Sequence, residues 1–218
     1  IFNMKQRLLP LLAAAILFAA CNNEKKEEKK DGKETTGTET EVKEWKAVDS
    51  ATAMKAWMDY ATPGEPHKMM AASDGTWEGE TTSWMAMGAP PSTSKSTSVN
   101  KMIMDGRYQV TEFSGDMMGM PFNGMGILAY DNYKKVFTNT WIDNMGTGIM
   151  MMEGPWDEAT KSMTMTGKYT NPANGMECEM KETFRMIDND NQVMEMWGPD
   201  QATGKQYKTM EIKFTRKK

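Results

Sequence analysis

Alternation of apolar and polar residues with a period of two dominates the C-terminal part of the chain. Residues 162–169 place Met163 and Met165 on one face, with serine, threonine and lysine on the other. The same period runs through residues 176–186 and 208–216. Strands with this pattern have one buried and one solvated face, which is typical of antiparallel sheets. The pattern therefore predicts a mainly β fold.

Short turn sequences separate the predicted strands, as at Asp105-Gly106 and Asn171-Pro172. Their spacing allows about ten strands and leaves no helix long enough for a βαβ crossover. Because closure of a sheet removes its exposed edges, we expect an antiparallel up-and-down β-barrel. Two short helices are predicted before it: residues 49–61, with Ser50 as the expected cap, and residues 66–72.

The N-terminus has the pattern of a secretory signal peptide over residues 1–20, with the expected start at Met4. Basic residues precede an apolar run from Leu8 to Phe18, and small residues follow it. This run is shorter than the roughly 20 residues that a membrane-spanning helix needs. The segment Leu17-Phe18-Ala19-Ala20-Cys21 resembles the lipobox of bacterial lipoproteins, which implies acylation of the Cys21 sulfur. The alternative is an ordinary cleaved signal in which this cysteine has no role.

The lipidated cysteine and a charged tether are predicted to occupy residues 21–45, before a barrel domain at 46–218. Residues 22–44 hold a single apolar side chain, too little to offset the entropy of ordering, so we expect disorder. Because Asn22 and not aspartate follows the cysteine, resemblance to lipoprotein sorting signals implies the outer rather than the inner membrane of the cell envelope. The charged run at 22–30 is either a solvated spacer or a tag for export to the surface.

Charge and composition exclude several classes of function. Without the two basic residues of the signal peptide, 24 of the 26 basic side chains remain against 30 acidic ones. A nucleic-acid partner is not expected, because such proteins present a basic patch or stripe. Acylation of Cys21 leaves Cys178 alone, so no disulfide is expected. One histidine and one free cysteine cannot build a His-rich metal site, no Gly-x-Ser-x-Gly elbow is present, and we expect no cofactor.

Five segments carry a resemblance to a known family: Pro66-His67-Lys68, Gly75-Thr76-Trp77-Glu78-Gly79, Met117 to Phe122, Tyr130-Asp131, and Thr140 to Gly148. Through them, residues 66–218 resemble the DUF1579 family of bacterial proteins, which has no assigned function. The resemblance implies a lipocalin- or nitrobindin-like β-barrel.

The same resemblance implies a barrel-closing pair, Trp77 and Arg216. Gly75-x-Trp77 in the first strand and Arg216 in the last are similar to the lipocalin pairing, in which the arginine covers the indole at the base of the barrel. In nitrobindin-like barrels a histidine binds haem, but His67 precedes the first predicted strand. We therefore interpret His67 as a structural or surface residue, and haem binding is disfavoured.

Methionine is unusually frequent, with 25 residues in the chain, whereas Leu128 is the one leucine after the predicted lipid site. Methionine fills irregular gaps well, so we expect it to replace leucine in the core and in cavity walls. Thioethers also select Cu(I), which makes a copper-binding lipoprotein the alternative hypothesis. Its ligands would come from two clusters: Met117, Met118 and Met120, and Met150, Met151 and Met152.

Glu182 interrupts an inward-facing apolar row between Met180 and Phe184. The register therefore places a carboxylate inside the barrel, unless a bulge turns it outward or an inward cation pairs with it. Buried carboxylates are paired or have a raised pKa, and such groups favour functional sites. An enzyme centred on Glu182 or His67 is a further alternative, although the sequence names no catalytic residue or substrate for it.

The leading hypothesis is a non-enzymatic, membrane-anchored barrel that binds a small hydrophobic or amphipathic ligand. A wall of methionine and aromatic side chains adapts to ligands of loosely specified shape. The residues expected to line the cavity are Trp84, Tyr108, Met163, Met165, Met180, Glu182 and Met210.

Overall fold

Two helices and eleven strands make up the part of the chain that the computed structural model describes, residues 45–117 and 119–218. The predicted signal peptide, Cys21, the tether up to residue 44 and Met118 lie outside the described residues. The elements are α1 (Ser50–Ala61), α2 (Glu65–Ala72), β1 (Gly75–Ser83), β2 (Ser92–Ile103), β3 (Tyr108–Met117), β4 (Met120–Asp131), β5 (Val136–Asp143), β6 (Met150–Gly154), β7 (Trp156–Asp157), β8 (Ser162–Thr170), β9 (Glu177–Met186), β10 (Asn191–Pro199) and β11 (Gln206–Arg216). Within the described ranges, no helix has the length and apolar character needed to cross a membrane.

All the strands pair in antiparallel fashion with neighbours in one sheet, in the order β6-β5-β4-β3-β2-β1-β11-β10-β9-β8-β7. A further pairing of Glu153 on β6 with Thr166 on β8 closes this sheet. Ten strands thus form an up-and-down barrel, and the two-residue β7 is an extra strand beside β8. The predicted fold class is confirmed.

The closing seam between β6 and β8 depends on two glycines. A Cβ atom at Gly154 would overlap the backbone of Thr164, and one at Gly167 would overlap the carbonyl of Met151. The two backbones approach so closely that neither position has room for a side chain. The seam therefore requires glycine at both positions.

The helices lie at their predicted places, with one correction to a cap. Asp49, and not Ser50, caps α1: its carboxylate accepts hydrogen bonds from the backbone N–H groups of Ala51 and Thr52, at 3.1 and 3.0 Å. A carboxylate there also meets the positive end of the helix dipole. None of the α1 residues is buried, whereas α2 buries Met70 against the barrel.

The core fills the end of the barrel that α2 covers. Five side chains form it: Met70, Phe137, Met152, Met163 and Met165. Four of the five are methionines, as expected for a chain in which methionine replaces leucine.

Arg216 and Trp77 are paired across β11 and β1 at the same end. The guanidinium carbon lies 4.2 Å from the centroid of the indole, which is 1% exposed. The guanidinium also donates hydrogen bonds to three backbone carbonyls, those of Ala72, Asp74 and Asn189. One side chain thus joins the end of α2, the β9–β10 turn and the β1–β11 pair.

Removal of this arginine is expected to destabilise the whole barrel. Arg216→Ala should lower the free energy of unfolding by about 2–4 kcal/mol, because three charge-assisted hydrogen bonds and a cation–π contact are lost. Arg216→Lys keeps the charge but cannot reach three carbonyls at once, so it should restore little. Urea denaturation measures both. Arg185→Ala, on the exposed side of β9, is the matched control, and equal losses in Arg185→Ala and Arg216→Ala would contradict the role of Arg216.

Candidate functional site

A cavity of about 400 Å³ occupies the barrel interior beside the core. Inward-facing side chains of all ten barrel strands line it. Two turns of α2 and the Trp77–Arg216 pair cover one end, and the loops after β1, β3, β5, β8 and β10 surround the other. The period-two alternation of the strands is what directs these side chains to the interior.

Methionine and aromatic side chains form about half of the cavity wall. Ten of the lining residues are methionines, and six are tryptophan or phenylalanine. Of the predicted lining residues, the structure brings together Met163, Met165, Met180, Glu182 and Met210.

Trp84 and Tyr108 lie elsewhere, which corrects two of the predicted positions. Tyr108 is the first residue of β3 and is 41% exposed, because the alternation of that strand turns Gln109 inward instead. Trp84 lies just beyond the end of β1, with its carbonyl accepting a hydrogen bond from the Tyr207 hydroxyl. Its ring faces the Lys208 ammonium, 5.4 Å from the ring centroid.

Hydrogen-bonded polar side chains from β1, β2 and β3 form a second wall, which the sequence analysis missed. Ser98 and Thr111 donate to the side-chain oxygen of Asn100, at 3.1 and 2.9 Å. The hydroxyls of Thr81 and Ser96 are 3.2 Å apart. Since both faces of β2 are rich in serine and threonine, hydrophobic periodicity gives no signal there.

An aromatic cluster of Phe113, Phe122 and Trp141 lies on the β3–β5 side of the cavity. The Trp141 ring is 16° from parallel with Phe122, at a centroid distance of 6.5 Å, and Phe113 meets it edge-on at 6.1 Å. A Cβ atom at Gly124 would overlap the indole. The indole N–H donates to the Asp143 carboxylate at 2.9 Å. The ring is therefore fixed on the β4 backbone and presents a defined surface to the cavity.

Glu182 faces the cavity from the middle of β9. Its cross-strand neighbours are Met165 on β8 and Met196 on β10. Within the described part of the chain its carboxylate has no hydrogen-bond or ion-pair partner, and burial alone raises the pKa of Glu182 to about 7. A carboxyl group in this setting can hold a proton near neutral pH, or accept a cation or donor supplied by a ligand.

His67 has a structural role at the start of α2. Its Nδ1 accepts a hydrogen bond from the Gly64 backbone N–H at 3.0 Å, and its ring meets Tyr130 edge-on at 6.0 Å. Burial is the main cause that lowers the pKa of His67, with a smaller contribution from the positive charge of Arg107. The ring does not line the cavity.

The described methionines of the two clusters are divided between the cavity and the outer surface. Alternation along β6 directs Met150 and Met152 into the cavity, whereas Met151 is 60% exposed on the outer surface. Met117 lines the cavity and Met120, its strand partner, is exposed. Over residues 45–117 and 119–218, no group of three or more His, Cys, Asp or Glu side chains is placed to hold a metal ion.

Residues 62–216 match the family described as "Protein of unknown function (DUF1579)". The chain belongs to the DUF1579 family. No curated protein matches it. A solved structure similar to this DUF1579 protein is Rv2717c from M. tuberculosis, with a TM-score of 0.55 and 12% identity over 72% of this chain and 100% of that one. Another is the S-type phycobiliprotein lyase CPES from Guillardia theta, with a TM-score of 0.51 and 9% identity over 74% and 97%. At such identities the likeness concerns the fold alone.

Glu182 should give this DUF1579 protein a specific dependence of stability on pH. Its folded-state pKa of about 7 exceeds the ordinary value of 4.5, so the folded state binds the proton more tightly. The contribution of this bound proton to the stability of the folded state is complete below pH 4.5 and is lost as the pH rises through about 7. Glu182→Gln stays neutral, and at pH 8 it should be more stable than the original protein by about 1–3 kcal/mol.

Urea denaturation at pH 4.5 and pH 8 measures this difference. Glu179→Gln, on the exposed face of the same strand, should show no such change between the two pH values. If the free energies of unfolding of Glu182→Gln and the original protein differ by the same amount at both pH values, the claim that this carboxylate is both buried and unpaired is wrong.

Proposed function

We propose that this protein is a lipid-anchored barrel of the cell envelope that binds a small hydrophobic or amphipathic molecule in its interior. The observation that carries the proposal is the cavity of about 400 Å³, enclosed by ten strands and covered at one end. Pockets for small ligands generally have volumes of about 300–1,000 Å³ and a mainly apolar lining with a few placed polar groups.

The distribution of side chains in the cavity supports an amphipathic ligand. Methionine and aromatic residues make up about half of the lining and provide apolar contact, and the serine and threonine side chains of β1–β3 provide donors and acceptors on one side. Flexible thioethers adapt to an apolar body, whereas the Trp141 ring offers a fixed flat surface. A ligand with an apolar body and a polar group therefore fits both walls.

Binding of a hydrophobic probe tests the cavity directly. N-Phenyl-1-naphthylamine, which is neutral and fluoresces in apolar surroundings, should bind the protein at one site. Thr81 lines the cavity and the adjacent Thr82 does not, so the same substitution can be placed inside or outside the barrel. Thr81→Trp should weaken binding by at least about tenfold, because the indole occupies the cavity, and Thr82→Trp should leave binding unchanged.

Fluorescence titration measures the three affinities, with circular dichroism as a check that each variant is folded. Absence of binding to the original protein, or equal weakening by both substitutions, would contradict a ligand cavity.

The anchor is proposed from the lipobox at Cys21, and several acyl chains at about 0.8 kcal/mol per buried CH₂ would hold the protein on a membrane. In bacteria fed an alkyne-labelled fatty acid, the original protein should carry the label and sediment with the outer membrane. Cys21→Ala should carry no label and leave the membrane fraction. Cys178→Ala is the matched control, and loss of label from it, or label on Cys21→Ala, would contradict lipidation at Cys21.

A further inference from the structure

We infer that the ligand of this cavity is a hydrophobic amine, whose positively charged nitrogen pairs with Glu182. The inference rests on the proposed function and names the charge class of its ligand. It follows from the signs of the charges in the cavity, from which of them already have partners, and from the surfaces that surround Glu182.

All the charged residues of the cavity lining are acidic. They are Asp116, Asp143 and Glu182, and no lysine, arginine or histidine is among the described residues that line the cavity. An anionic ligand such as a fatty acid would meet only like charge in a region of low dielectric constant, where repulsion is strong. A cation would meet opposite charge.

Two of the three carboxylates are already engaged. Asp143 accepts hydrogen bonds from the indole of Trp141 and the backbone N–H of Met145, both at 2.9 Å. Asp116 accepts one from the backbone N–H of Gly119 at 2.7 Å. Both lie near the loop-lined end of the barrel, whereas Glu182 lies in the middle of β9 and has no partner among the described residues. Glu182 is thus the carboxylate that is left for a ligand.

The groups around Glu182 favour pairing with an organic cation. The cavity-facing residues beside it on its own strand are Met180 and Phe184, and those opposite are Met165 and Met196. None of these four titrates. Polarizable sulfur atoms and aromatic faces attract organic cations and do not compete with them for the carboxylate.

The charged groups near this strand on the outside do not reach the carboxylate. Lys181 points outward and lies 4.6 Å from the centroid of Trp197. Lys208 forms salt bridges with both Glu195 and Glu211 on the outer face of β10 and β11. Among the described residues, the other titratable groups of the cavity lining are therefore Asp116 and Asp143.

Ion pairing at Glu182 also fixes how binding depends on pH. With a pKa of about 7, the carboxyl group is mostly protonated at pH 5 and mostly ionised at pH 8, so at pH 5 a permanently charged ammonium can pair with it only after its proton is released to solvent. Affinity for such a cation should therefore rise between pH 5 and pH 8. With glutamine at this position there is no proton to release, and the affinity should not change with pH.

Three probes with the same twelve-carbon chain test the inference: dodecyltrimethylammonium, dodecanol and dodecanoate. The affinity of each probe is measured by its displacement of N-phenyl-1-naphthylamine from the protein at pH 8, with the probe kept below its own micellar concentration. Dodecyltrimethylammonium should bind at least about tenfold more tightly than dodecanoate. Glu182→Gln should lose at least about tenfold in affinity for the cation and keep its affinity for dodecanol. Glu179→Gln, outside the barrel, should behave like the original protein.

The possible results separate the two proposals. Preference for the cation that disappears in Glu182→Gln, with affinity that rises from pH 5 to pH 8, supports the inference. Equal affinity for cation and anion, or a preference unchanged in Glu182→Gln, overturns it while binding of the neutral probes still supports a ligand cavity. Failure of the naphthylamine and of all three dodecyl probes to bind overturns both.

Discussion

The interior of this barrel exists because the short strand β6 comes close enough to β8 to pair with it. Two glycines, Gly154 and Gly167, make that approach possible, since any side chain there would overlap the backbone of the opposite strand. Closure at this seam turns a sheet with two exposed edges into ten strands around a common space. It also determines which side chains face inward, because the register of each strand is then fixed by both of its neighbours.

Closure leaves the two ends of the barrel different. At one end Arg216 lies over Trp77 and holds three backbone carbonyls, while Met70 of α2 completes a packed core. Towards the other end, small polar residues on β1–β3 and flexible methionines on β9–β11 do not fill the space inside the ten strands. The cavity is thus a consequence of wall composition: the strands enclose more space than their inward side chains occupy. Glu182 lines this cavity from the middle of β9, and within the described part of the chain no side chain neutralises its carboxylate.

Period-two hydrophobicity was sufficient to predict the parts of the fold where the two faces of a strand differ in polarity. It gave the register of β8 and β9, and with it the inward positions of Met163, Met165 and Glu182. It failed for Tyr108, because the first residue of a strand has no preceding alternation to set its direction, and for Trp84, which lies beyond a strand end. Period-two hydrophobicity also gave no signal for the polar cavity-facing side chains of β2, since serine and threonine occupy both faces of that strand. Closure through glycine contacts depends on residues far apart in sequence, which no local pattern records.

The proposed function depends on one claim: the methionine side chains inside the barrel leave an open cavity beside an unpaired Glu182. Methionine has three rotatable bonds, so side chains such as Met194, Met196 and Met210 could in principle turn inward and fill that space. A high-resolution crystal structure of the protein, purified without detergent from a bacterial host, measures this most directly. It should show an open or ligand-filled space of about 400 Å³ in contact with Glu182. A barrel filled by its own methionine side chains, with Glu182 in contact with a protein cation, would contradict the claim.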